Sequence, residues 1–352
     1  MEHSIAFIGY GGMAVWHHNL IQEKLPELIV RGAYDIRPEI REDIRKKGLY
    51  AYETAEELLA DGSVDLVIIA VPNNFHKDYS IACMRAGKNV ICEKPVTMCA
   101  AELEEVIAVS RETGKVFTVH QNRRWDRDYR IVREVLEKGI IGAPYFIETR
   151  VQGSRGSMHG WRGYRENGGG MLLDWGVHLL DQLLDMIPSK VVSVAAHLES
   201  VFSGEVDDNV KVFLKFENNV SALLEFSTNC FINHPRWHVS CTEGTMVVED
   251  WECNGRIVKL AEDAEKMAWA DDIVYTAAGP TRTMAPRPAH TQQVLELPGL
   301  RPDVSDYYRN VIGAIEKTQE LIVKPEQCLR VMRLIDLLFA VNEQGGSATC
   351  RI

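Results

Sequence analysis

The residues best suited to chemistry in this chain lie near its middle, in GGGMLLDWGVHLLDQLLDM, residues 168–186. Asp174, His178 and Asp181 follow at i, i+4 and i+7, a spacing that puts side chains on one face of a helix. A carboxylate and an imidazole sharing one edge suit proton transfer, because histidine titrates near neutral pH. The same face could hold a metal ion, but no third or fourth ligand is evident nearby, so no metal is expected. A structural Asp–His pair is the plain alternative. A second stretch, CEKPV at 92–96, sets Glu93 and Lys94 before a proline at what reads as a strand end. Lysine is normally solvated on a helix face. Lys94 is therefore either aimed at a substrate oxygen or a surface group in a loop. A third stretch, AVPNNFH at 70–76, places Pro72, Asn73 and His76 after the most apolar run of the chain. Pro72 and Asn73 can shape a crevice there, while His76 either caps the next helix or touches a ligand.

These groups need elements to position them, and the first third of the chain supplies strands alternating with helices. Strands are expected at 4–8, 28–34, 64–71, 89–92 and 116–119. Helices are expected at 14–25, 37–47, 54–59, 75–86 and 100–113, the last closed by Gly114. Pro38 stands near a helix start, and Thr54 with Glu57 forms a capping-box pattern. Val64–Val71 (VDLVIIAV) is apolar on both faces, as a central parallel strand should be. This alternation predicts a doubly wound parallel sheet. In that context GYGGMA, residues 9–14, reads as a dinucleotide turn. Gly9 makes the sharp turn, Gly11 admits a pyrophosphate, and Ala14 lets the helix pack closely, with Gly12 and Met13 between them. The helix N-terminus then offers free N–H groups to phosphate. Asp35, 21 residues after Ala14, can accept hydrogen bonds from a ribose 2′-hydroxyl, which favours NAD; Arg37 leaves NADP open.

The bulk properties narrow the remainder. The chain has 352 residues, 46% apolar and 25% charged, enough for two domains. Its net charge of −11 argues against a nucleic-acid surface. No apolar run suits a membrane span or a signal peptide, so a cytoplasmic location is expected. The eight cysteines form no C-x-x-C pair and read as free thiols.

Taken together, GYGGMA (9–14), AVPNNFH (70–76), CEKP (92–95), HQNRRWD (120–126) and GGGMLLDWGVHLLD (168–181) resemble the Gfo/Idh/MocA oxidoreductases. A weaker trace follows in CTEGTMVVED (241–250) and from Asp306 to Gly345. The resemblance implies an α/β fold with an N-terminal Rossmann doubly wound parallel sheet over residues 1–122. A C-terminal α+β domain with a large open, mainly antiparallel sheet is implied over 123–352, with the helix at 326–344 packing back on the first domain. Alternation in 144–152, 191–199, 209–228 and 237–250 fits that sheet, and Asn218-Asn219 suits a hairpin turn. Lys94 looks like the lysine that meets both substrate hydroxyl and nicotinamide. Asp174 and His178 look like the acidic partner and the general acid/base, and Pro95 like a proline after a cis peptide bond. Cofactor contacts are expected from Gly9, Gly11, Gly12, Met13, Ala14, Asp35, Arg37, Pro72, Asn73, His76, Glu93, Lys94, Gln121 and Asn122.

The reaction expected is reversible oxidation of a secondary hydroxyl on a sugar, glycoside or cyclitol, with glycoside C3 as the leading specific substrate position. Arg123, Arg124 and Trp125 are expected in the substrate wall, with Trp161, Arg162 and Tyr164; Trp237 and His238 are weaker candidates. A homodimer or homotetramer through the C-terminal sheet is implied, and no nucleic acid or membrane partner. Two other readings stay open: an NAD-dependent glycoside hydrolase with transient oxidation, and a dinucleotide-sensing regulator without catalysis. Residues 262–302 match no clear pattern and are expected as an edge strand, a lid or an oligomer contact.

Overall fold

The computed structural model describes residues 2–267, 273–281 and 286–352. The chain first alternates β1 (His3–Ile8), α1 (Gly12–Lys24), β2 (Leu28–Tyr34), α2 (Pro38–Lys46), β3 (Tyr50–Tyr52), α3 (Ala55–Ala60) and β4 (Leu66–Ile69). It continues with α4 (His76–Arg85), β5 (Asn89–Cys92), α5 (Ala100–Thr113) and β6 (Phe117–Val119). The strands form one parallel sheet in the order β3-β2-β1-β4-β5-β6. Ile5–Ile8 and Val67–Ile69 are shut off from solvent, as strands covered on both faces must be. The order reverses between β1 and β4, the kind of switch point beyond whose strand ends open α/β sheets bind ligands. Strand β3 escaped the sequence reading because three residues, with Tyr50 exposed, are too few to show alternation. Only Leu66–Ile69 of the expected strand 64–71 is in the ladder.

The helix ends follow local chemistry. Pro38 opens α2, and Gly114 closes α5 at φ 65°. Thr54 Oγ1 accepts from the Glu57 N–H at 3.1 Å, but the Glu57 carboxylate returns to the N–H of Glu53, not Thr54. The capping box is therefore half formed.

After α6 (Arg127–Glu137) come β7 (Pro144–Gln152), α7 (Val177–Met186), β8 (Val191–Glu199), β9 (Asn209–Phe216) and β10 (Ser221–Ser227). Then follow β11 (Trp237–Cys241), β12 (Gly244–Val248), β13 (Gly255–Leu260), β14 (Val274–Thr276), β15 (Gly279–Thr281) and β16 (Gln292–Leu295). The chain ends in α8 (Ser305–Ile315), α9 (Pro325–Gln344) and β17 (Ser347–Thr349). A second sheet of nine strands runs β16-β13-β12-β11-β7-β10-β9-β8-β17 among the described residues, antiparallel except at β7–β10. Asn219, at φ 66°, turns β9 into β10 as the Asn-Asn pair suggested. Of the unassigned region 262–302, β16 is an edge strand and β14–β15 a separate hairpin. Residues 268–272 and 282–285 lie outside the described residues.

The last helices do not stay with the second sheet. Tyr307 of α8 is buried and donates to the Val119 carbonyl at the end of β6, at 3.0 Å. Helix α9 packs on α5 and α7 and on β8. Its Asp336 accepts the Ala100 N–H at 2.9 Å, and its Asn342 accepts the Leu198 N–H at 2.8 Å. One helix thus ties both sheets together. Among the described residues, no helix is long and apolar enough to cross a membrane.

Candidate active site

The glycine turn opens the site. Gly9 has φ 83°, and a Cβ there would stand 2.4 Å from the Ala70 carbonyl oxygen, so only glycine lets β1 and β4 end side by side. At Gly11 and Gly12 an added Cβ would meet nothing within 4 Å. No side chain caps α1, so its first N–H groups face that open space, with Met13 exposed beside it and Ala14 buried against the sheet. Asp35 is 5% exposed at the end of β2. Its oxygens accept the Tyr10 N–H at 2.9 Å, the Arg37 N–H at 3.0 Å and the Arg37 guanidinium at 3.0 and 3.1 Å. Burial works against ionising Asp35, yet these contacts hold its carboxyl below the usual range. An open, uncapped helix start beside an ionised acid fits a dinucleotide.

The reactive groups gather at the ends of β5 and β6. The Lys94–Pro95 bond is cis, the isomer the resemblance implied. Lys94 Nζ donates to the Asp174 carboxylate at 2.8 Å and to its carbonyl at 2.9 Å. Arg162 Nε donates to the same Oδ1 at 3.2 Å. Burial would raise the Asp174 carboxyl, but the two cations outweigh it and hold it low. His178 is buried at the first turn of α7, and its Nδ1 lies 3.2 Å from Gln121 Oε1. Burial, reinforced by the charges of Lys94 and Arg123, holds its ring well below the ordinary imidazole value. The ring is neutral near pH 7, the state a general base needs.

The helix that the spacing predicted over 174–181 is not uniform. Leu172–Gly176 is a π turn that leads into α7 and resets the helical phase between Asp174 and the residues after it. Asp181 is not part of the site. Both its oxygens take Arg124 at 2.7 Å, deep in the core, and Arg124 also reaches Asp185 and Gln327 at 3.1 Å. Arg124 therefore leaves the expected substrate wall to brace α7 against α9.

Other expected contacts move as well. Trp125 is 9% exposed, with its ring edge-on to Tyr307 at 5.6 Å, so it packs the core. His76 is buried between the Pro95 and Val71 carbonyls at 2.7 and 2.9 Å, which occupies both ring nitrogens. Asn73, also buried, donates to the Gly168 carbonyl at 2.8 Å and ties the crevice to the GGG turn, while Pro72 opens the short turn before it. Glu93 points inward: its Oε1 lies 2.8 Å from both His17 Nε2 and His120 Nδ1, and its Oε2 accepts the Lys94 N–H at 3.1 Å. Trp237 is buried, its indole N–H on Asp128 at 3.0 Å, and His238 pairs with Glu148 at 3.3 Å on the sheet.

The trio His17, Glu93 and His120 stands close enough to hold a metal ion. Its polar atoms already have partners, since each ring donates to Glu93 and the Tyr308 hydroxyl meets His17 Nδ1 at 2.5 Å. The trio needs no ion to be satisfied.

Around the reactive groups Arg123 lies over the Trp175 ring at 4.1 Å and pairs with Asp126 at 2.8 Å. Trp251, 49% exposed on the β12–β13 turn, lies 5.8 Å from Trp175, with Arg236 stacked under it at 3.7 Å. Sequence reading missed both tryptophans; Trp175 beside Asp174 was the available signal. Trp161 stacks on its neighbour Arg162 at 4.5 Å, Tyr164 is exposed, and Asn122 begins the turn carrying Arg123.

Comparisons with known proteins meet this geometry. Residues 3–121 match the oxidoreductase family model with an NAD-binding Rossmann fold, and residues 129–247 match the GFO/IDH/MocA C-terminal domain. A solved NAD-binding protein from Listeria innocua is 41% identical, with a TM-score of 0.94 over 99% of each chain. The scyllo-inositol 2-dehydrogenase (NADP(+)) IolW of Bacillus subtilis is 23% identical across 94% of this chain and 91% of its own. The 1,5-anhydro-D-fructose reductase of Ensifer adhaerens is 31% identical over 55% of this chain and 60% of its own.

Proposed function

The chain belongs to the GFO/IDH/MocA family of NAD(P)-binding oxidoreductases acting on CH–OH groups, and from that premise we propose that it oxidises a secondary ring hydroxyl of a sugar, glycoside or cyclitol. The observation that carries this reading is the Lys94–Asp174 pair with a buried neutral His178, in a chain whose first strand ends in an open glycine turn. His178 takes the hydroxyl proton. Lys94 donates a hydrogen bond to the developing oxyanion, and Asp174, whose Oδ1 also takes Arg162, holds the ammonium in place. When bound, the nicotinamide cofactor supplies the hydride acceptor. Gly11, Gly12 and the start of α1 hold its phosphates. Asp35 holds its ribose hydroxyls, which favours NAD. Arg123, Trp161, Arg162 and Tyr164 line the substrate side together with Trp175 and Trp251. Oxidation at C3 of a glycoside is the leading specific reaction.

Residues on the outer face of the second sheet support a homo-oligomer. Phe213 is exposed there, paired across the ladder to Leu223 and Ala195. The test of function is NADH formation from NAD+ with inositols, free hexoses, sugar acids and glucosides. Lys94→Ala and His178→Ala are each expected to lower kcat by roughly 10²–10⁴-fold on the compound turned over. Parental turnover in both variants would sink the assignment. Sugar release without net NADH would point to the transiently oxidising hydrolase.

A further inference from the structure

The catalytic reading leaves a question of orientation. An imidazole acts as a base only if its free lone pair faces the substrate, and the hydrogen bond on its other nitrogen decides which one that is. The natural candidate, Asp174, is already engaged, its Oδ1 taking both Lys94 and Arg162. No hydrogen bond joins Asp174 to His178 among the described residues. The partner of His178 is Gln121, with Nδ1 and Oε1 at 3.2 Å and both side chains buried.

Gln121 is itself held rigidly. Its N–H donates to the Val119 carbonyl at 2.8 Å, and its own carbonyl accepts the Arg124 N–H at 3.2 Å. The residue before it, His120, is fixed by Glu93, and Glu93 also fixes the backbone N–H of Lys94. One buried network therefore positions both the lysine and the orienter of the histidine. Resting on the catalytic assignment above, we propose that Gln121 is a positioning residue whose side-chain carbonyl accepts the His178 Nδ1–H, leaving Nε2 as the base. It is expected to act on His178 and not through cofactor affinity. A neutral amide orients the ring without stabilising its cation, where a carboxylate would do both. The groups that act electrostatically on the ring are Lys94, Arg123, Glu93 and His120, with Asp174 one turn before it. The cations among them add to burial in keeping it neutral.

Three measurements on the full-length protein test this. Nitrogen-15 NMR of the histidine rings, with His178→Gln for assignment, is expected to show the Nδ1–H tautomer at 178 without any substrate; the Nε2–H tautomer overturns the proposal. Gln121→Leu is expected to lower kcat by roughly 10–100-fold, the range for partners that orient a functional histidine, with an unchanged Kd for NADH. Gln121→Glu is expected to move the acid limb of kcat/KM for oxidation upward by about one pH unit or more, because a carboxylate favours imidazolium. Parental kcat in the leucine variant, or a weakened Kd for NADH with kcat intact, overturns the proposal. If His178→Ala keeps full turnover, it is the catalytic assignment that fails, and the tautomer result stands apart from that outcome.

Discussion

One oxygen of Asp174 takes two cations, and that sharing divides the work at the residue scale. The carboxylate serves the lysine, which leaves the histidine to an amide from the turn after β6. The buried trio behind them has a consequence for stability. Burial, with His120 beside it, holds His17 down at about 4, against an ordinary value of 6.5, despite its bond to Glu93. Between those values the unfolded ring binds a proton that the folded ring refuses, so stability is full above about pH 6.5 and falls as pH drops toward 4. Glu93, held below its ordinary 4.5, adds a loss further down. The urea midpoint is therefore expected to fall between pH 7 and pH 5. His17→Leu should be less stable at pH 7 and have a shallower dependence over that span. A slope equal to the parent's would contradict the assignment to His17.

At the scale of elements, two glycines only two residues apart have opposite roles. Gly9 allows β1 and β4 to end in contact, whereas Gly11 leaves room beside the start of α1. Gly9→Ala should cost thermal stability outright, since its Cβ meets the Ala70 carbonyl and its φ is positive. Gly11→Val should keep the parental Tm and weaken NADH binding, read by cofactor fluorescence. Equal Tm losses in both would mean that the turn is structural only. The π turn at Leu172–Gly176 is the other decisive element. It is anchored by Asp207, whose Oδ2 accepts the Leu172 N–H at 2.7 Å, and it faces Asp174 toward Lys94.

For the whole molecule, α8 and α9 make the two sheets one body, and the outer face of the second sheet remains open. Lys211, Phe213 and Lys215 alternate outward on β9 while Val210, Val212 and Leu214 face the core. Phe213→Glu is expected to shift the sedimentation coefficient toward that of a monomer with the fold intact by circular dichroism. An unchanged coefficient would place any interface elsewhere.

The sequence by itself determined the alternating first domain and the dinucleotide turn, and it singled out Lys94, Asp174 and His178 as candidates whose roles only the family resemblance implied. The first two rest on pattern along the chain: periodicity, glycine spacing and an acid, Asp35, at the end of the next strand. What only the tertiary structure decided were the partners. Helical spacing put Asp174, His178 and Asp181 on one face, but a π turn shifts the phase between Asp174 and His178, and Arg124 takes Asp181 into the core. Glu93, His76 and Trp125 carry polar or aromatic groups that read as site residues, yet they face inward to partners as far along the chain as Tyr307. Trp251 and Gln121 reach the site from separate elements, and no spacing along the chain encodes that approach. Burial and hydrogen-bond satisfaction are properties of the packed whole, so they appear only once the sheets and the returning helices are assembled.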